Sequence, residues 1–500
     1  MSNILFGVSF ILQPEVLILV FLGTLLGLVF GAIPGLTSTL GIILLLPITF
    51  GMDPSVGLAM LCAIYVGGVS GGKISAILLN MPGTPASIAT VFDGYPMTQK
   101  GFPGKAISYG VISSLFGGLL SLLVLATVAP IVGRFALAFQ TYEYFLLGVF
   151  GLTVVASISG DSVLDGVISA FVGLLIATIG ADPLSGTSRF TFGLYQLDGG
   201  IQLLPAMIGL FVIAEIYKQV QEKEQEFVFQ AKKLDSMRIK FSEIIIHWKN
   251  LIRSSLIGIG LGILPGAGAT LANFIAYDQA KKYSKYPEKF GTGIPDGIIA
   301  PEAANNAVSC SAFIPMMTLG IPGNSVTAVL LAGLLLHGLN PGPTLFAENI
   351  DVVYSIFAAL FLSYIIMFIL QYTVMIKFFT WALKVPKKIL MPIIILMSIA
   401  GTYNVRYSFN DLYILFFFGV VGFLLKKFKF PITPLILGLI LGPMMERSLR
   451  TGLMRTGGNF MPFITRPYSI ALIILTLFTI AISFIINKKQ KEFKVEKEES

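Results

Sequence analysis

The chain has 500 residues, of which 55% are hydrophobic and only 12% are charged, with a formal net charge of +8. A soluble domain carries roughly 25% charged residues, and a single water-soluble core stops growing at about 250–300 residues. Composition therefore excludes a soluble globular protein and predicts an integral membrane protein. The basic residues lie mainly in short gaps between apolar segments, which favours cytoplasmic loops over a nucleic-acid surface.

Apolar segments recur at lengths close to the roughly 20 residues that a membrane-crossing helix needs. In chain order they are Val16–Ile33, Val56–Leu79, Ile107–Val132, Ala136–Ala156, Val163–Gly180, Ile201–Ile216, Leu256–Tyr277, Val352–Ile376, Ile389–Thr402, Asp411–Leu425, Pro431–Met445 and Tyr468–Ile486. Shorter apolar pieces between them, Leu40–Phe50 and Ser325–Leu336, are interpreted as half-helices or re-entrant segments. We therefore predict an all-α polytopic membrane protein with about 12 transmembrane helices, some broken or re-entrant.

Basic residues predict which ends of these helices face the cytoplasm. Residues 1–72 contain no Lys or Arg, whereas residues 217–253 form the longest polar stretch and are rich in both. The positive-inside rule places this linker and the charged tail, residues 488–500, in the cytoplasm and the N-terminus outside. We expect a first transmembrane half at 1–216, the basic linker at 217–253, a second half at 254–487 and the tail at 488–500.

The two halves contain the same pair of motifs in the same order. Gly31–Gly35 matches Gly262–Gly266, and further along Met81–Thr84 matches Ile321–Asn324. The first copy follows an N-terminus without positive charge and the second follows the most basic stretch. Their first helices should therefore cross in opposite directions, which predicts two inverted repeats.

Each motif contains Pro-Gly, which breaks a helix and frees backbone N–H and C=O groups at membrane depth. A half-helix that begins after such a break directs several N–H groups and a partial positive charge at one point, which suits a carboxylate. Small polar residues follow the breaks and could contact the same ligand. The predicted substrate-binding residues are Gly35, Thr37, Ser38, Thr39, Lys73, Gly83, Thr84, Gly266, Gly268, Thr270, Gly323, Asn324 and Ser325. Helix capping and tight helix packing are the alternative explanation for these residues.

A second polar cluster, in the sequence APEAANNA, opens a later apolar stretch. Adjacent amides at membrane depth need partners, and their oxygens suit a hard cation such as Na⁺. We therefore predict that Glu302, Asn305 and Asn306 take part in ion coupling. The alternative is a helix N-terminus that carries Glu in its first turn.

Lys73 lies within an apolar run, and an ionisable residue there is a functional candidate. Residues 67–73 match the start of a phosphate loop, but Ile74 stands where that loop requires Ser or Thr, so an ATPase is rejected. Lys73 is therefore predicted to line the substrate cavity. Extension of its side chain to the membrane interface is the alternative.

These motifs resemble the large permease subunit of the tripartite tricarboxylate transporters, the TctA family. The stretches that carry the resemblance are Gly31–Gly35, Asn80–Ser87, Phe92–Met97, Asp182–Gly193, Pro265–Thr270, Ala300–Ala307, Thr318–Asn324, His337–Pro343 and Leu439–Glu446. The resemblance implies a multi-pass protein of the bacterial inner membrane that works with a periplasmic solute-binding protein and a small membrane subunit. It also implies import of citrate-like di- and tricarboxylates, driven by a Na⁺ or H⁺ gradient without a cofactor, and elevator-like movement is expected.

Two other classes of protein remain open at this point. An intramembrane enzyme would need a nucleophile–base pair or a metal set, but Cys62, Cys310, His247 and His337 fit no metal-binding spacing. A channel or a membrane scaffold is the other alternative. A single-file pore has no evident need for broken helices in both halves.

Overall fold

The computed structural model describes residues 2–158, 162–221, 239–266, 268–373 and 387–480. Eight helices in these ranges are long and apolar enough to cross a membrane, which confirms the all-α polytopic fold. In the described residues, strands are limited to one antiparallel pair, Gly180–Ala181 and Ser188–Arg189. The predicted tail and residues 222–238 of the predicted linker lie outside the described ranges.

The helices of the N-terminal part are α1 (Ser2–Ile11), α2 (Pro14–Ala32), α3 (Ser38–Thr49), α4 (Pro54–Leu79), α5 (Ile88–Gln99), α6 (Pro103–Ala136), α7 (Thr141–Ile158), α8 (Val163–Ala177) and α9 (Leu203–Gln221). Helix α9 contains a π-helical segment at Ile208–Ile213. Short 3₁₀ turns occur at Pro85–Ser87, Tyr195–Leu197 and Pro287–Lys289.

The helices of the C-terminal part are α10 (Phe241–Ile245), α11 (Trp248–Ile263), α12 (Gly268–Lys282), α13 (Asp296–Ser311), α14 (Phe313–Leu319), α15 (Ser325–Leu336), α16 (Pro343–Glu348), α17 (Ile350–Thr373), α18 (Lys387–Arg406), α19 (Phe409–Lys427), α20 (Ile432–Arg455), α21 (Pro462–Thr465) and α22 (Pro467–Ile480). The predicted single span Leu256–Tyr277 is wrong, because the chain breaks at Pro265-Gly266 into α11 and α12. Helix α13, which carries Glu302, was not among the predicted spans.

The helices form two compact units. The first comprises residues 1–134 and 219–405, and the second comprises residues 135–218 and 406–500. Each predicted sequence half, 1–216 and 254–487, contributes to both units. The halves are therefore a division of the sequence by its repeat, whereas the units are a division by packing.

Helix α4 is the centre of the first unit and is buried along nearly its whole length. It begins after Asp53, whose side chain accepts a hydrogen bond from the Ser55 N–H at 2.9 Å. A Cβ atom added at Gly67 would collide with the backbone of Thr24 and Leu28 on α2. Small residues on both helices therefore let the two backbones approach closely, as is common between membrane helices.

In the second unit, α20 packs against α7 and α8. The motif Asp182–Gly193 forms a loop that begins directly after the first strand and contains the second. Arg189 at its base donates to both carboxylate oxygens of Glu446, at 2.6 and 3.1 Å. Arg450 donates to Asp182 at 2.6 Å, and this hydrogen bond is the main reason that the pKa of the Asp182 carboxyl lies below its usual range. These ion pairs fix the loop to α20.

Candidate functional site

The first Pro-Gly break separates α2 from α3. Gly35 has a φ of +90°, a left-handed conformation that favours glycine. The Thr37 hydroxyl then caps α3 by accepting from the Leu40 N–H at 3.3 Å. The next two residues, Ser38 and Thr39, are buried. The predicted break and half-helix are therefore present, and Thr37 acts as the cap.

The second break separates α11 from α12. Gly266 has a φ of +79° and Gly268 a φ of +68°, so both are left-handed. The Gly266 N–H donates to the Gly323 carbonyl at 2.9 Å. Thr270, the third residue of α12, is half-buried. The two Pro-Gly motifs of the second half are thus in direct contact.

The corresponding contact in the first half involves Gly83. Its N–H donates to the Gly72 carbonyl on α4 at 3.3 Å. A Cβ at Gly83 would collide with the Gly31 carbonyl, and one at Gly323 would lie 3.2 Å from the Gly262 carbonyl. The motifs of each half therefore pair in the same way, although the opposite orientation of the two halves in the membrane stays a prediction.

The residues after Gly83 and Gly323 also form matching caps. The Thr84 N–H donates to the Ser87 hydroxyl at 3.2 Å, and the Asn324 N–H donates to the Thr327 hydroxyl at 2.9 Å. The Thr327 N–H donates in return to Asn324 Oδ1 at 2.9 Å. This reciprocal pattern is a capping box. Capping, the alternative explanation for these residues, thus describes part of what they do. Ser325 follows as the first residue of α15.

Two side chains connect the halves at these caps. Asn324 Nδ2 donates to the Tyr65 hydroxyl on α4 at 2.9 Å. Asn273 on α12 donates to the backbone carbonyl of Ala86, between Thr84 and α5. The four Pro-Gly motifs therefore form one connected cluster inside the first unit, with polar side chains from both halves.

A buried ion pair forms a second link between the halves. Lys73 Nζ lies 3.5 Å from Glu302 Oε2, and neither side chain is exposed. The ammonium donates to the hydroxyls of Ser70 at 2.5 Å and Ser114 at 2.7 Å. The other carboxylate oxygen of Glu302 accepts from Thr90 at 2.7 Å. Both charges are therefore compensated by groups of the protein, as burial requires.

This pair places Lys73 inside the protein. Its side chain does not extend to the surface, so the alternative of an interfacial lysine does not describe this structure. The ammonium faces Glu302 instead of an open cavity. The prediction that Lys73 contacts substrate therefore requires that the ion pair open.

The two amides of α13 differ in how well they are satisfied. Asn306 Nδ2 donates to the Ser114 hydroxyl at 2.8 Å and to the Glu302 carbonyl at 3.1 Å. Its Oδ1 has no partner, and neither polar side-chain atom of Asn305 has one, although both residues are fully buried. Buried polar atoms are rarely left unpaired. These oxygens are therefore available to a ligand.

Asp93, part of the motif Phe92–Met97, is a further functional candidate. Its buried carboxylate accepts from three backbone N–H groups, those of Gly291, Gly293 and Ile294, at 3.0, 2.7 and 3.0 Å. It also accepts from the Tyr277 hydroxyl at 2.8 Å. Asp93 thus fixes the turn that leads into α13 and positions Glu302.

Tyr65, Thr90 and Ser114 also belong to the site, although no sequence motif points to them. They are a tyrosine and two hydroxyl residues in apolar surroundings, and no local pattern distinguishes them from packing residues. Only their contacts with Asn324, Glu302 and Lys73 reveal them. An expectation that every buried polar group has a partner could have pointed to them.

Comparison with known proteins gives a consistent result. The sequence model of a family described as "Tripartite tricarboxylate transporter TctA family" matches residues 17–437. An uncharacterized 52.8 kDa protein in the TAR-I ttuC' 3'region of Agrobacterium vitis is 36% identical over 498 residues, which cover 100% of this chain and 99% of that protein. An uncharacterized protein in the TAR-II ttuC' 3'region of the same organism is 32% identical over 235 residues, or 47% of this chain and 97% of that protein. No solved structure matches the chain.

The family match extends over both halves of the sequence and includes every predicted site residue. It confirms the family suggested by the motifs and, because this is a family of transporters, excludes the enzyme alternative. The chain belongs to the tripartite tricarboxylate transporter TctA family.

Proposed function

We propose that this chain is the large permease subunit of a secondary transporter that imports citrate-like di- and tricarboxylates across the bacterial inner membrane. A gradient of Na⁺ or H⁺ drives the import. A periplasmic solute-binding protein delivers the carboxylate, and a small membrane subunit accompanies the permease. The family match supports the partners and the substrate class, because the family is defined as a tripartite tricarboxylate system.

The observation that carries this proposal is the buried pair of Lys73 and Glu302 beside the cluster of broken helices. An ammonium group can bind a substrate carboxylate, and a carboxylate can bind a coupling cation. Intramembrane charges are costly to maintain and are usually retained for function. One cationic and one anionic group, contributed by different halves, provide for both ligands of a symporter.

The caps of the half-helices support a carboxylate site close by. A Cβ at Gly68 would contact Ser38, and one at Gly72 would contact Thr84 and Ser87, so these hydroxyls lie along one part of α4. Helix N-termini and hydroxyl groups bind anions well. Lys73 follows Gly72 directly in sequence and can supply positive charge to the same region.

Counterflow in proteoliposomes tests whether the protein is a carrier. Vesicles that contain the permease and the small subunit are loaded with unlabelled citrate and placed, with the binding protein, in trace labelled citrate. A carrier concentrates label transiently by exchange, and the initial rate saturates with citrate concentration. Label that only equilibrates, at a rate proportional to concentration, would indicate a channel and contradict the proposal.

A further inference from the structure

The Ser114 hydroxyl contacts Lys73 from the first sequence half and both Glu302 and Asn306 from the second. It accepts from Lys73 Nζ at 2.7 Å and from Asn306 Nδ2 at 2.8 Å, and it donates to Glu302 Oε2 at 3.1 Å. A hydroxyl has one donor and two acceptor positions, so all of its capacity is used. A ligand that reaches Glu302 through Ser114 must therefore displace one of these three neighbours.

Lys73 is held by oxygen atoms of the kind that coordinate a hard cation. They are the hydroxyls of Ser70 and Ser114 and one carboxylate oxygen of Glu302. Hydroxyl, amide and carboxylate oxygens are the usual ligands of such ions. The Lys73 ammonium thus lies among oxygen atoms that could bind a free cation, and its side chain connects it covalently to α4.

Two unpaired amide oxygens belong to the same helix as Glu302. Asn306 Oδ1 belongs to the same carboxamide that contacts Ser114, and Asn305 Oδ1 is buried without a partner. Glu302, Asn305 and Asn306 lie at helix positions i, i+3 and i+4, which share one face of α13. Together with Ser114 they can offer four oxygens to a cation once the ammonium has moved.

We propose that a coupling cation and the Lys73 ammonium compete for Glu302 and Ser114, and that cation binding frees Lys73 to bind the substrate carboxylate. This inference rests on the proposed function, and it adds the means by which the two ligands are coupled. The cation is a single positive charge that neutralises Glu302, either Na⁺ or a proton. The stoichiometry that follows is one cation for each carboxylate group that Lys73 binds.

Charge compensation explains why the two ligands should bind together. A cation bound alone would leave the buried Lys73 without a counter-charge. An anion bound alone would draw the Lys73 ammonium away from Glu302 and leave the Glu302 carboxylate without a counter-charge. Isolated buried charges are strongly unfavourable, whereas binding of both ligands leaves Lys73 and Glu302 each with a counter-charge. The affinity for each ligand must then rise when the other is present, by the same factor.

Among the described residues, those that contact Lys73, Ser114, Asn306 or Glu302 include no charged side chain other than Lys73 and Glu302. Helix α4 contributes Ser70 and Lys73, α5 contributes Thr90, α6 contributes Ser114, and α13 contributes Glu302 and Asn306. Helix α17 contributes Gln371, which contacts Ser70, and Tyr364, which donates to the Asn306 carbonyl at 3.0 Å. Glu302 is therefore the anionic group of this network that a coupling cation would neutralise.

Equilibrium binding to the purified full-length chain in nanodiscs tests the inference. One arm measures ²²Na⁺ binding at fixed pH with and without citrate. The other measures proton uptake with a pH indicator when citrate is added in Na⁺-free choline buffer. In the wild type, citrate should raise the affinity for one of the two cations by about tenfold, within the usual range of coupling between sites.

Variants identify the competing group. Lys73→Met should bind the cation about tenfold more tightly without citrate, and citrate should no longer change this affinity. Glu302→Gln should abolish linked cation binding. Lys100→Met, which removes an exposed lysine on the same unit, should behave as the wild type. The inference would be overturned if citrate changed the cation affinity of Lys73→Met as much as that of the wild type. It would also be overturned if citrate changed neither Na⁺ binding nor proton uptake in the wild type.

A milder variant covers the case in which Lys73→Met does not fold. Ser114→Ala keeps both charges and removes the shared hydroxyl, so the linkage should weaken several-fold while the protein remains folded. Unchanged linkage in Ser114→Ala would count against the inference. The binding assay needs neither partner nor ion gradient. Linkage in a protein that fails to accumulate citrate would overturn only the proposed function, and accumulation without linkage would overturn only the inference.

Discussion

The Lys73 ammonium lies 3.5 Å from a carboxylate oxygen of Glu302, and both side chains are fully buried. The lysine comes from α4 in the first sequence half and the glutamate from α13 in the second. Their pairing connects the halves through charge, next to the place where the broken helices connect them through hydrogen bonds.

Removal of one member of this pair should destabilise the protein more than removal of both. Lys73→Met or Glu302→Gln leaves a buried charge without its partner, at a cost of about 3–5 kcal/mol. The double variant Lys73→Met with Glu302→Leu should recover most of that loss, because an apolar pair can replace a buried ion pair. Thermal unfolding in nanodiscs measures the difference. A double variant less stable than both single variants would contradict this prediction, and all three should lack uptake.

The Asn324 side chain should matter both as a cap and as a link. Asn324→Ala removes the cap of α15 and the hydrogen bond to Tyr65, and we expect a loss of about 1–2 kcal/mol together with reduced uptake. Tyr65→Phe, the matched control, removes only the link and leaves the cap. Unfolding midpoints and citrate uptake separate the two effects. Normal uptake in Asn324→Ala would show that the substrate does not bind at this cap.

Thr84 tests the matching position in the first half. Thr84→Val keeps the shape of the side chain and removes the hydroxyl that lies 3.3 Å from the Ser87 hydroxyl. Uptake should fall while membrane insertion, measured by yield and protease protection, stays intact. Asn306→Ala should have the same effect, because it removes a contact of Ser114. Normal uptake in both variants would place the site elsewhere.

Asp93 should act by holding the turn before α13. Asp93→Asn replaces a carboxylate that accepts hydrogen bonds from three backbone N–H groups. We expect the free energy of unfolding to fall by about 1.5–3 kcal/mol, because hydrogen bonds to charged groups are strong. Uptake should fall with it, since Glu302 lies on the helix that follows. Asp278→Asn changes an exposed aspartate nearby and should be neutral. Equal unfolding midpoints for the two variants would refute the positioning role.

Close packing of α2 on α4 gives a prediction that is independent of the site. Gly67→Ala places a methyl group against the backbone of Thr24 and Leu28, and overpacking of this kind costs about 1–3 kcal/mol. Gly51→Ala, at a position with open space around the added atom, should leave stability unchanged. The two unfolding midpoints provide the comparison. Equal midpoints for Gly67→Ala and Gly51→Ala would contradict the close approach of α4 to α2 at Gly67.

Local chemistry explains why parts of the site could be predicted from sequence. Pro-Gly at residues 34–35 and 265–266 breaks a helix because proline lacks an N–H and glycine adopts positive φ. Asn324 with Thr327 three residues later is a capping pattern that the sequence displays directly. The breaks and caps were accessible because the residues that form them are close together in the chain.

Long-range contacts explain what could not be predicted. The sequence indicates Lys73 and Glu302 as charges within apolar segments, but it predicts different ligands for them because nothing local indicates that they meet. Ser114, Thr90 and Tyr65 carry no signal until the helices are packed. For Leu256–Tyr277 two local signals conflict, since the apolar character predicts one continuous span and Pro265-Gly266 predicts a break; the structure follows the Pro-Gly.

The most direct test of the central claim is gradient-driven accumulation of citrate in proteoliposomes. The permease, the small subunit and the binding protein are reconstituted without ATP, and a Na⁺ or H⁺ gradient is imposed. Labelled citrate should accumulate above its external concentration, and an ionophore that dissipates the gradient, or the Glu302→Gln substitution, should abolish this. Accumulation that persists without any ion gradient and requires ATP would contradict the account.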